Sequence, residues 1–232
     1  MARKPPRGRH TQPSAPSVPT ADKPERERII AALMALLAER PIEQIGFSEI
    51  ASRAGVTLAQ LRGQFATTLA IVAAQIKEVD RAVLSDGGPD MAEEPPRERL
   101  FDVLMRRIEV LASHKAAVRS LSRSAMRNPG LALALNRLAV RSQQWMLTAA
   151  DISASGPRGM LRAQGLAVLF ASVLRIWLDD DDPGLARTMA ALDRALARGQ
   201  RWSGLLDDIL RVPARLCRTR RSGARRQESA DA

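Results

Sequence analysis

The chain has 232 residues, of which 45% are apolar and only 3% aromatic, and it contains no tyrosine. Because strands prefer β-branched and aromatic residues, this composition predicts an all-α protein rich in alanine, leucine and arginine. One cysteine excludes an intramolecular disulfide and a cysteine-rich metal site, and no uninterrupted apolar run reaches the roughly 18 residues of a membrane span.

The formal net charge of +11 is concentrated at the two ends of the chain. Residues 1–28 hold seven basic and three acidic groups, and residues 211–232 hold seven arginines and two acidic groups. We predict two disordered basic tails, over 1–22 and 213–232, because both ends are polar and poor in apolar residues.

The first tail contains Pro6-Arg7-Gly8-Arg9, which is similar to the Arg-Gly-Arg-Pro core of an AT-hook, with His10 in place of the final proline. A basic arm before a DNA-binding domain can enter the minor groove, where A·T tracts concentrate negative potential. The alternative is a solubilising tail that makes no specific contact.

Apolar residues at helical spacing predict a first helix from Lys23 to Glu39, which Pro41 ends. A second helix is expected to begin at Ser48 and to stop at Gly55, because glycine enters left-handed geometry without a steric penalty. Thr57 can then cap a third short helix by accepting a backbone N–H. Two short helices joined by a glycine-containing turn are typical of the helix-turn-helix unit, which lays its second helix in the major groove of DNA.

This stretch resembles the TetR/AcrR family of bacterial repressors, whose usual pattern is IA..AGVS..TLY.HF..K. The family's tyrosine, histidine and lysine are replaced by Arg62, Gln64 and Thr68. In the family, the tyrosine and the lysine contact phosphates; Arg62 can do so, whereas Thr68 offers only a weak hydroxyl contact. The positions that match the pattern, with Thr57 as a near match, are Ile50, Ala51, Ala54, Gly55, Val56, Leu61 and Phe65.

The resemblance implies a helix-turn-helix domain over 23–70 that binds double-stranded DNA and a helical regulatory and dimerisation domain over 71–212. In this interpretation the third helix faces base edges and Arg62 faces a phosphate. The alternative is a three-helix packing unit that no longer touches DNA. The predicted DNA-binding residues are Ser48, Thr57, Leu58, Ala59, Gln60, Arg62, Gly63, Gln64 and Thr68.

The rest of the chain alternates helical spacing with turn residues. A long helix capped by Thr67 or Thr68 is expected to reach about Leu84, followed by a loop over 85–96. The resemblance implies that the last two long helices pair with those of a second subunit, giving a homodimer suited to palindromic half-sites. The further predicted helices begin at Arg97 and span 116–126, 131–150, 160–178 and 183–198.

The resemblance also implies that a small hydrophobic effector controls DNA binding from a pocket in the regulatory half. The alternative, which the residue pattern favours at each position, is that these residues are ordinary core, since apolar stripes serve mainly for packing. They are Leu104, Ile108, Leu121, Trp145, Met146, Phe170, Val173 and Trp177.

No catalytic constellation is apparent, so we predict a protein that is not an enzyme and that carries no cofactor or metal. The run Asp179–Asp182 could suggest a metal site, but before Pro183 it is better explained as a helix cap. His114 has no cysteine or serine motif beside it and is expected to be solvated. Cys217 lies among arginines that would lower the pKa of its thiol, so a redox switch is an alternative for the second tail.

A second resemblance concerns residues 175–194, which are similar to the TetR-like lipid-binding accessory protein of ubiquinone biosynthesis. It implies a lipid carrier without DNA binding, and membrane contact through an amphipathic C-terminal helix over about 205–216. The better match of residues 28–65 to the DNA reader favours the regulator. We therefore expect a bacterial, cytoplasmic and nucleoid-associated protein.

Overall fold

The computed structural model describes residues 24–85 and 93–199, and within these ranges it contains helices and turns but no strand. The predicted all-α fold is therefore confirmed for the described residues. Both predicted tails, the loop residues 86–92, Cys217 and the predicted membrane-contact helix lie outside them. The helices are α1 Glu25–Glu39, α2 Phe47–Ala54, α3 Leu58–Gln64, α4 Thr68–Ser85, α5 Pro96–Leu111, α6 Lys115–Arg127, α7 Pro129–Ala149, α8 Gly156–Leu178 and α9 over 186–199.

The first hydrophobic core lies between α1, α2, α3 and the first half of α4. Ile29, Leu33, Leu36 and Leu37 present the apolar stripe of α1 to this core and are fully buried. They meet Ile50 of α2, and the cluster extends to α3 and to α4 as far as Ala74. The three short helices are therefore held together by a shared apolar centre, since α2 and α3 are too short to be stable alone.

Helix α6 packs across α1 and ties the two halves of the molecule together. Ala117 of α6 is only 2% exposed and belongs to the first core. The Ser120 hydroxyl donates to the Arg40 carbonyl at 3.0 Å, and the Ser124 hydroxyl donates to the Glu43 carboxylate at 2.8 Å. The unit formed by α1, α2 and α3, called the reader below, is thus attached to the rest of the described chain through α6 as well as through α4.

The second core is formed by the second half of α4 with α5, α7, α8 and α9. Trp177, which is 1% exposed, lies at its centre. A charged pair is buried at its edge: Arg107 of α5 donates to the carboxylate of Asp80 on α4, and the Ser142 hydroxyl of α7 donates to the same oxygen at 2.7 Å. This network joins three helices through groups that carry a high desolvation cost unless they are paired.

The prediction that Asp182 caps a helix with Pro183 at its first position is wrong about where the helix begins. Pro183 and Gly184 form a turn, and α9 begins at residue 186. Asp182 still satisfies the helix start, because its carboxylate accepts from the backbone N–H of Gly184 at 3.2 Å and of Ala186 at 3.1 Å. The predicted capping chemistry is therefore present, one turn before the helix.

Asp180, in the same run, is 2% exposed and belongs to the fold rather than to a metal site. Its carboxylate accepts from the Thr188 hydroxyl at 2.6 Å and from the Thr188 backbone N–H at 2.9 Å. These hydrogen bonds, the one from the hydroxyl above all, lower the pKa of Asp180. Among the described residues no group of three or more potential metal ligands occurs.

Several other helix boundaries differ from the sequence prediction by a few residues. The second helix begins at Phe47 instead of Ser48, with Gly46 before it. Helix α7 begins at Pro129 instead of Leu131, because the Asn128 side chain caps it by accepting from the Leu131 N–H at 3.0 Å. Helix α8 begins at Gly156, about one turn before Met160, with a proline in its first turn.

Helix α8 is also, within the described residues, long and apolar enough to cross a membrane as judged by length and composition alone. Only 39% of its most apolar window is buried, and that window has a mean hydropathy of 1.4. Core helices of soluble proteins meet the same criterion, and the buried side of α8 contributes Phe170, Val173 and Trp177 to the second core. What needs an explanation is the exposed side of this helix.

Candidate nucleic-acid interface

The turn between α2 and α3 has the geometry that its sequence predicts. Gly55 is left-handed, with φ of 63°, and the backbone N–H of Val56 closes the end of α2 on the Ala51 carbonyl at 3.0 Å. The Arg28 guanidinium of α1 donates to the Ala54 and Gly55 carbonyls, each at 3.2 Å, and so satisfies the end of the helix. The entry into α3 is therefore fixed from both sides of the turn.

A reciprocal capping box starts α3. The Gln60 backbone N–H donates to the Thr57 hydroxyl at 3.2 Å, and the Thr57 N–H donates to the Gln60 side-chain oxygen at 2.8 Å. Thr57 is therefore the N-cap that the sequence predicts. This arrangement orders the first turn of α3, the part of a recognition helix that normally enters the groove.

The outer face of α3 is exposed and is not packed against the other described residues. Leu61 and Phe65 point into the first core, with exposures of 2% and 4%, while Leu58 is 52% exposed. Of the predicted DNA-binding residues, Thr68 alone is half-buried, as the first residue of α4. The remaining eight are exposed: Ser48, Thr57, Leu58, Ala59, Gln60, Arg62, Gly63 and Gln64.

Gln60 is exposed, but its side chain is already engaged within the protein. Its amide nitrogen donates to the Glu25 carboxylate of α1 at 2.5 Å, while its oxygen serves the capping box at Thr57. A bidentate contact with a base edge, which uses the amide oxygen as well as the nitrogen, would require breaking a hydrogen bond from Thr57 to that oxygen. The interpretation of Gln60 as a base-contacting residue therefore conflicts with the conformation it adopts here, whereas Gln64 has no such partner among the described residues.

Two of the five arginines in residues 24–70 are held in ion pairs. Arg53 donates two hydrogen bonds to Glu39, at 2.8 and 3.0 Å, and this contact lowers the pKa of the Glu39 carboxyl. Arg40 forms an ion pair with Glu49. Arg62 is exposed and has no ion pair among the described residues, so it is the cation that α3 itself offers to a phosphate.

The eight residues of the predicted effector pocket do not lie together. Leu121 packs with the first core, on the α1 side, and Trp145 is 56% exposed on the surface of α7. The physical reason is that helical spacing predicts which side of a helix is buried. It does not predict which other helix packs against that side. The six that share the second core are Leu104, Ile108, Met146, Phe170, Val173 and Trp177.

The buried pair of Asp80 and Arg107 was missed by the sequence analysis, although the sequence carries a signal for it. Asp80 lies beside Val79 and one turn from Val83 on the apolar face of α4, and Arg107 lies next to Ile108 on that of α5. A charged residue within an apolar stripe predicts a buried partner. His114, which was expected to be solvated, is half-buried, and burial lowers the pKa of its imidazole.

Comparison with solved structures identifies the fold. A TetR transcriptional regulator from Nitrosomonas europaea superposes with a TM-score of 0.61 at 20% identity, over 77% of this chain and 99% of that one. A TetR transcriptional regulator from Rhodococcus sp. RHA1 superposes with a TM-score of 0.52 at 21% identity, over 75% and 95% of the two chains. No family model and no curated protein matches the sequence.

Proposed function

We propose that this chain, which has the fold of TetR-family transcriptional regulators, is itself a DNA-binding transcriptional regulator that inserts α3 into the major groove. The observation that carries the proposal is the exposed outer face of a capped α3, held by Arg28 and by the first core. A three-helix packing unit without DNA would have no use for an ordered face on which, within the described residues, Gln60 alone has a partner outside α3 and its capping turn. The Arg62 side chain supplies the phosphate contact, and Gln64 is the long polar side chain free to reach a base edge.

Dimerisation through α8 and α9 is part of the same proposal. Leu161, Val168 and Ile176 form an exposed stripe along α8, with exposures of 49%, 61% and 37%. Met189 of α9, 42% exposed, adds to it. Gly165 and Ser172 lie between the apolar residues and allow close approach of a second helix. An exposed apolar stripe of this length is typical of a protein–protein interface. A two-fold dimer formed through it would place two copies of α3 on one DNA duplex.

We also propose that a small, mainly apolar effector controls the protein from the regulatory half. Two buried polar atoms of the regulatory half, Arg107 Nε and Gln143 Oε1, have no hydrogen-bond partner among the described residues. Unsatisfied buried groups are costly, and a ligand that offered an acceptor to the first or a donor to the second would remove part of that cost. Repression, rather than activation, is the form of control that the sequence resemblance implies.

The proposed organisation keeps the division into a reader over 23–70 and a regulatory and dimerisation domain over 71–212, with basic tails on either side. In this proposal the protein is not an enzyme and acts in the bacterial cytoplasm at the nucleoid. The tails contribute the charge that the reader lacks, since phosphate neutralisation supplies most non-specific DNA affinity.

Genome-wide footprinting of the purified full-length protein on its own DNA, at near-physiological salt, tests this function. We expect discrete footprints with two-fold symmetric half-sites about one or two helical turns apart. Flotation with vesicles containing anionic lipid, run on the same preparation, provides the contrast. Flotation without discrete footprints would favour the lipid carrier and refute the regulator.

A further inference from the structure

A groove of about 710 Å³ runs between α4 and α7 and reaches α1. Its apolar wall includes Ile76 and Leu84 of α4, together with Leu138 and Trp145 of α7. Trp145 is 56% exposed there, and a large aromatic side chain left so open to water is unusual in a soluble helical protein. A second groove, lined by α7 and the residues that follow it, also includes Arg141 and Trp145, so the indole is accessible from both grooves.

The same groove is strongly basic. Arg26, Lys77, Arg81 and Arg141 all line it, and of these Arg81 alone has an ion pair, with Glu78, among the described residues. The acidic group in the lining is Asp80, whose charge is already compensated by Arg107. The groove therefore combines an apolar wall with three cations that have no acidic partner in the described part of the chain.

We propose that this groove binds an amphipathic organic anion of small-molecule size. Its apolar body lies against Trp145 and the aliphatic side chains beside it, and its acidic group lies among Lys77 and Arg141. The charge of the lining selects the ligand class: a neutral apolar molecule would leave the cations uncompensated, and a cation would be repelled. This site is distinct from the six buried residues of the second core, none of which lines the groove.

The floor of the groove links the site to the reader. Asp80 and Ser142 line it and hold the buried network with Arg107 that joins α4, α5 and α7. Arg26, at the other end, lies 4.6 Å above the Phe65 ring, which closes α3. An anion that draws Arg26 toward the groove would therefore change a contact of the recognition helix; this regulatory consequence rests on the proposed DNA-binding function.

The probes for the test are 8-anilinonaphthalene-1-sulfonate and its neutral analogue N-phenyl-1-naphthylamine, which have the same aromatic body with and without the acidic group. Fluorescence titrations use the folded full-length protein without DNA. We expect the sulfonate to bind more tightly than the neutral probe. Lys77→Gln and Arg141→Gln should each weaken sulfonate binding about threefold, and about tenfold together, while leaving the neutral probe unaffected. Trp145→Ala should weaken both probes.

Arg123→Gln is the matched control, because Arg123 is an exposed arginine without an ion pair among the described residues and lines a different groove, between α1 and α6. It removes the same charge and should leave sulfonate binding unchanged. An equal loss in Arg123→Gln overturns the site, as does an unchanged affinity in the double variant or in Trp145→Ala. Thermal unfolding of each variant should match that of the wild type, since all the substituted side chains are exposed.

A duplex of random sequence separates this proposal from the proposed function. If the double variant weakens duplex binding and flattens its salt dependence but leaves sulfonate binding unchanged, the groove contacts DNA phosphates and the anion site is refuted. If the protein yields no footprints but binds the sulfonate as expected, the proposed DNA-binding function is refuted and the proposed anion site is supported.

Discussion

At the scale of single residues, Arg62 is the side chain from which the proposed DNA binding draws its phosphate contact on α3. It is exposed on α3 without an ion pair among the described residues. Replacing it with alanine removes one phosphate contact, so Arg62→Ala should weaken binding to all duplexes and lower the salt slope of the binding constant by about one. Fluorescence anisotropy across a series of salt concentrations measures both quantities.

Arg123→Ala is a suitable control for this change, because it removes an exposed arginine that lies on α6, outside the recognition helix α3. It should leave the salt slope as in the wild type. If Arg62→Ala leaves the salt slope unchanged, Arg62 does not contact a DNA phosphate.

Gly63 offers a test of how closely α3 approaches the duplex. A methyl group added at this position meets no atom of the protein within 4 Å, and the backbone is helical. Gly63→Ala should therefore stabilise the free protein by up to about 1 kcal/mol, because alanine is the better helix former. The free energy of unfolding from urea titration measures this gain.

If the glycine serves close approach to the DNA backbone, the same variant should bind its operator more weakly although it is more stable. Unchanged or tighter binding would show that Gly63 faces away from the duplex. Thermal stability and operator affinity therefore give independent results for one substitution.

The residues of the reader show which features the sequence alone could predict. Gly55 and Thr57 were predicted correctly, because a left-handed turn and a capping box depend on residues that are neighbours in the chain. The engagement of Gln60 by Glu25 was not predictable in the same way, since it joins residues that are distant in sequence but meet where α1 crosses α3. Exposure of a side chain therefore did not imply that it is free.

At the scale of helices, the pair of Asp80 and Arg107 connects the helix that leaves the reader to the regulatory core. Side-chain exposures of 12% and 7% make the charge of either residue costly without the other. Asp80→Leu should therefore lower the free energy of unfolding by about 3–5 kcal/mol. Chemical denaturation of the purified variant measures the loss.

The double variant Asp80→Leu/Arg107→Met removes both charges together and should recover most of that stability, because no buried charge remains unpaired. A single variant as stable as the wild type would mean that water reaches Arg107. If the double variant does not recover stability, the stability lost in Asp80→Leu is due to altered packing and not to an unpaired charge.

The helices themselves were largely predictable from periodicity, whereas their starting points were not. Helix α9 begins later than expected because Asp180 and Asp182 satisfy its first N–H groups from upstream. Helix α8 begins earlier, and there Gly159 passes so close to the linker that a Cβ would lie 2.1 Å from the Ala154 carbonyl carbon. Both starts depend on contacts between segments that helical spacing does not encode.

At the scale of the whole molecule, the exposed stripe on α8 carries the proposed dimer. Val168 is its most exposed apolar residue, at 61%. Val168→Glu places a carboxylate against the same position of the partner helix, so we expect the dimer to dissociate into folded monomers. Sedimentation velocity measures the mass, and circular dichroism reports whether the monomers remain helical.

Met126→Glu provides the matched change, because Met126 is 69% exposed on α6, outside the stripe. It should leave the mass unchanged. Equal dissociation in both variants, or a wild-type protein that is already monomeric, would contradict dimerisation through α8.

The arrangement of the two cores could not be predicted from the sequence. Helical spacing places Leu121 on the apolar side of α6. It does not predict that α6 packs against α1, which puts the Leu121 side chain in the first core. The predicted pocket failed to assemble for the same reason, since it joined residues by type across helices whose neighbours were unknown. Which helices touch is decided by long-range packing.

The ion pairs of Arg40 and Arg53 with Glu49 and Glu39 also bear on how the protein would find its site. Because these two arginines are neutralised, residues 24–70 bind DNA of unrelated sequence less strongly than if both were unpaired, so fewer molecules are sequestered by the excess of unrelated genomic sequence. One-dimensional diffusion along DNA would then be brief, and each encounter would sample only a short stretch before release. Under these conditions a modest number of copies per cell could keep an operator occupied.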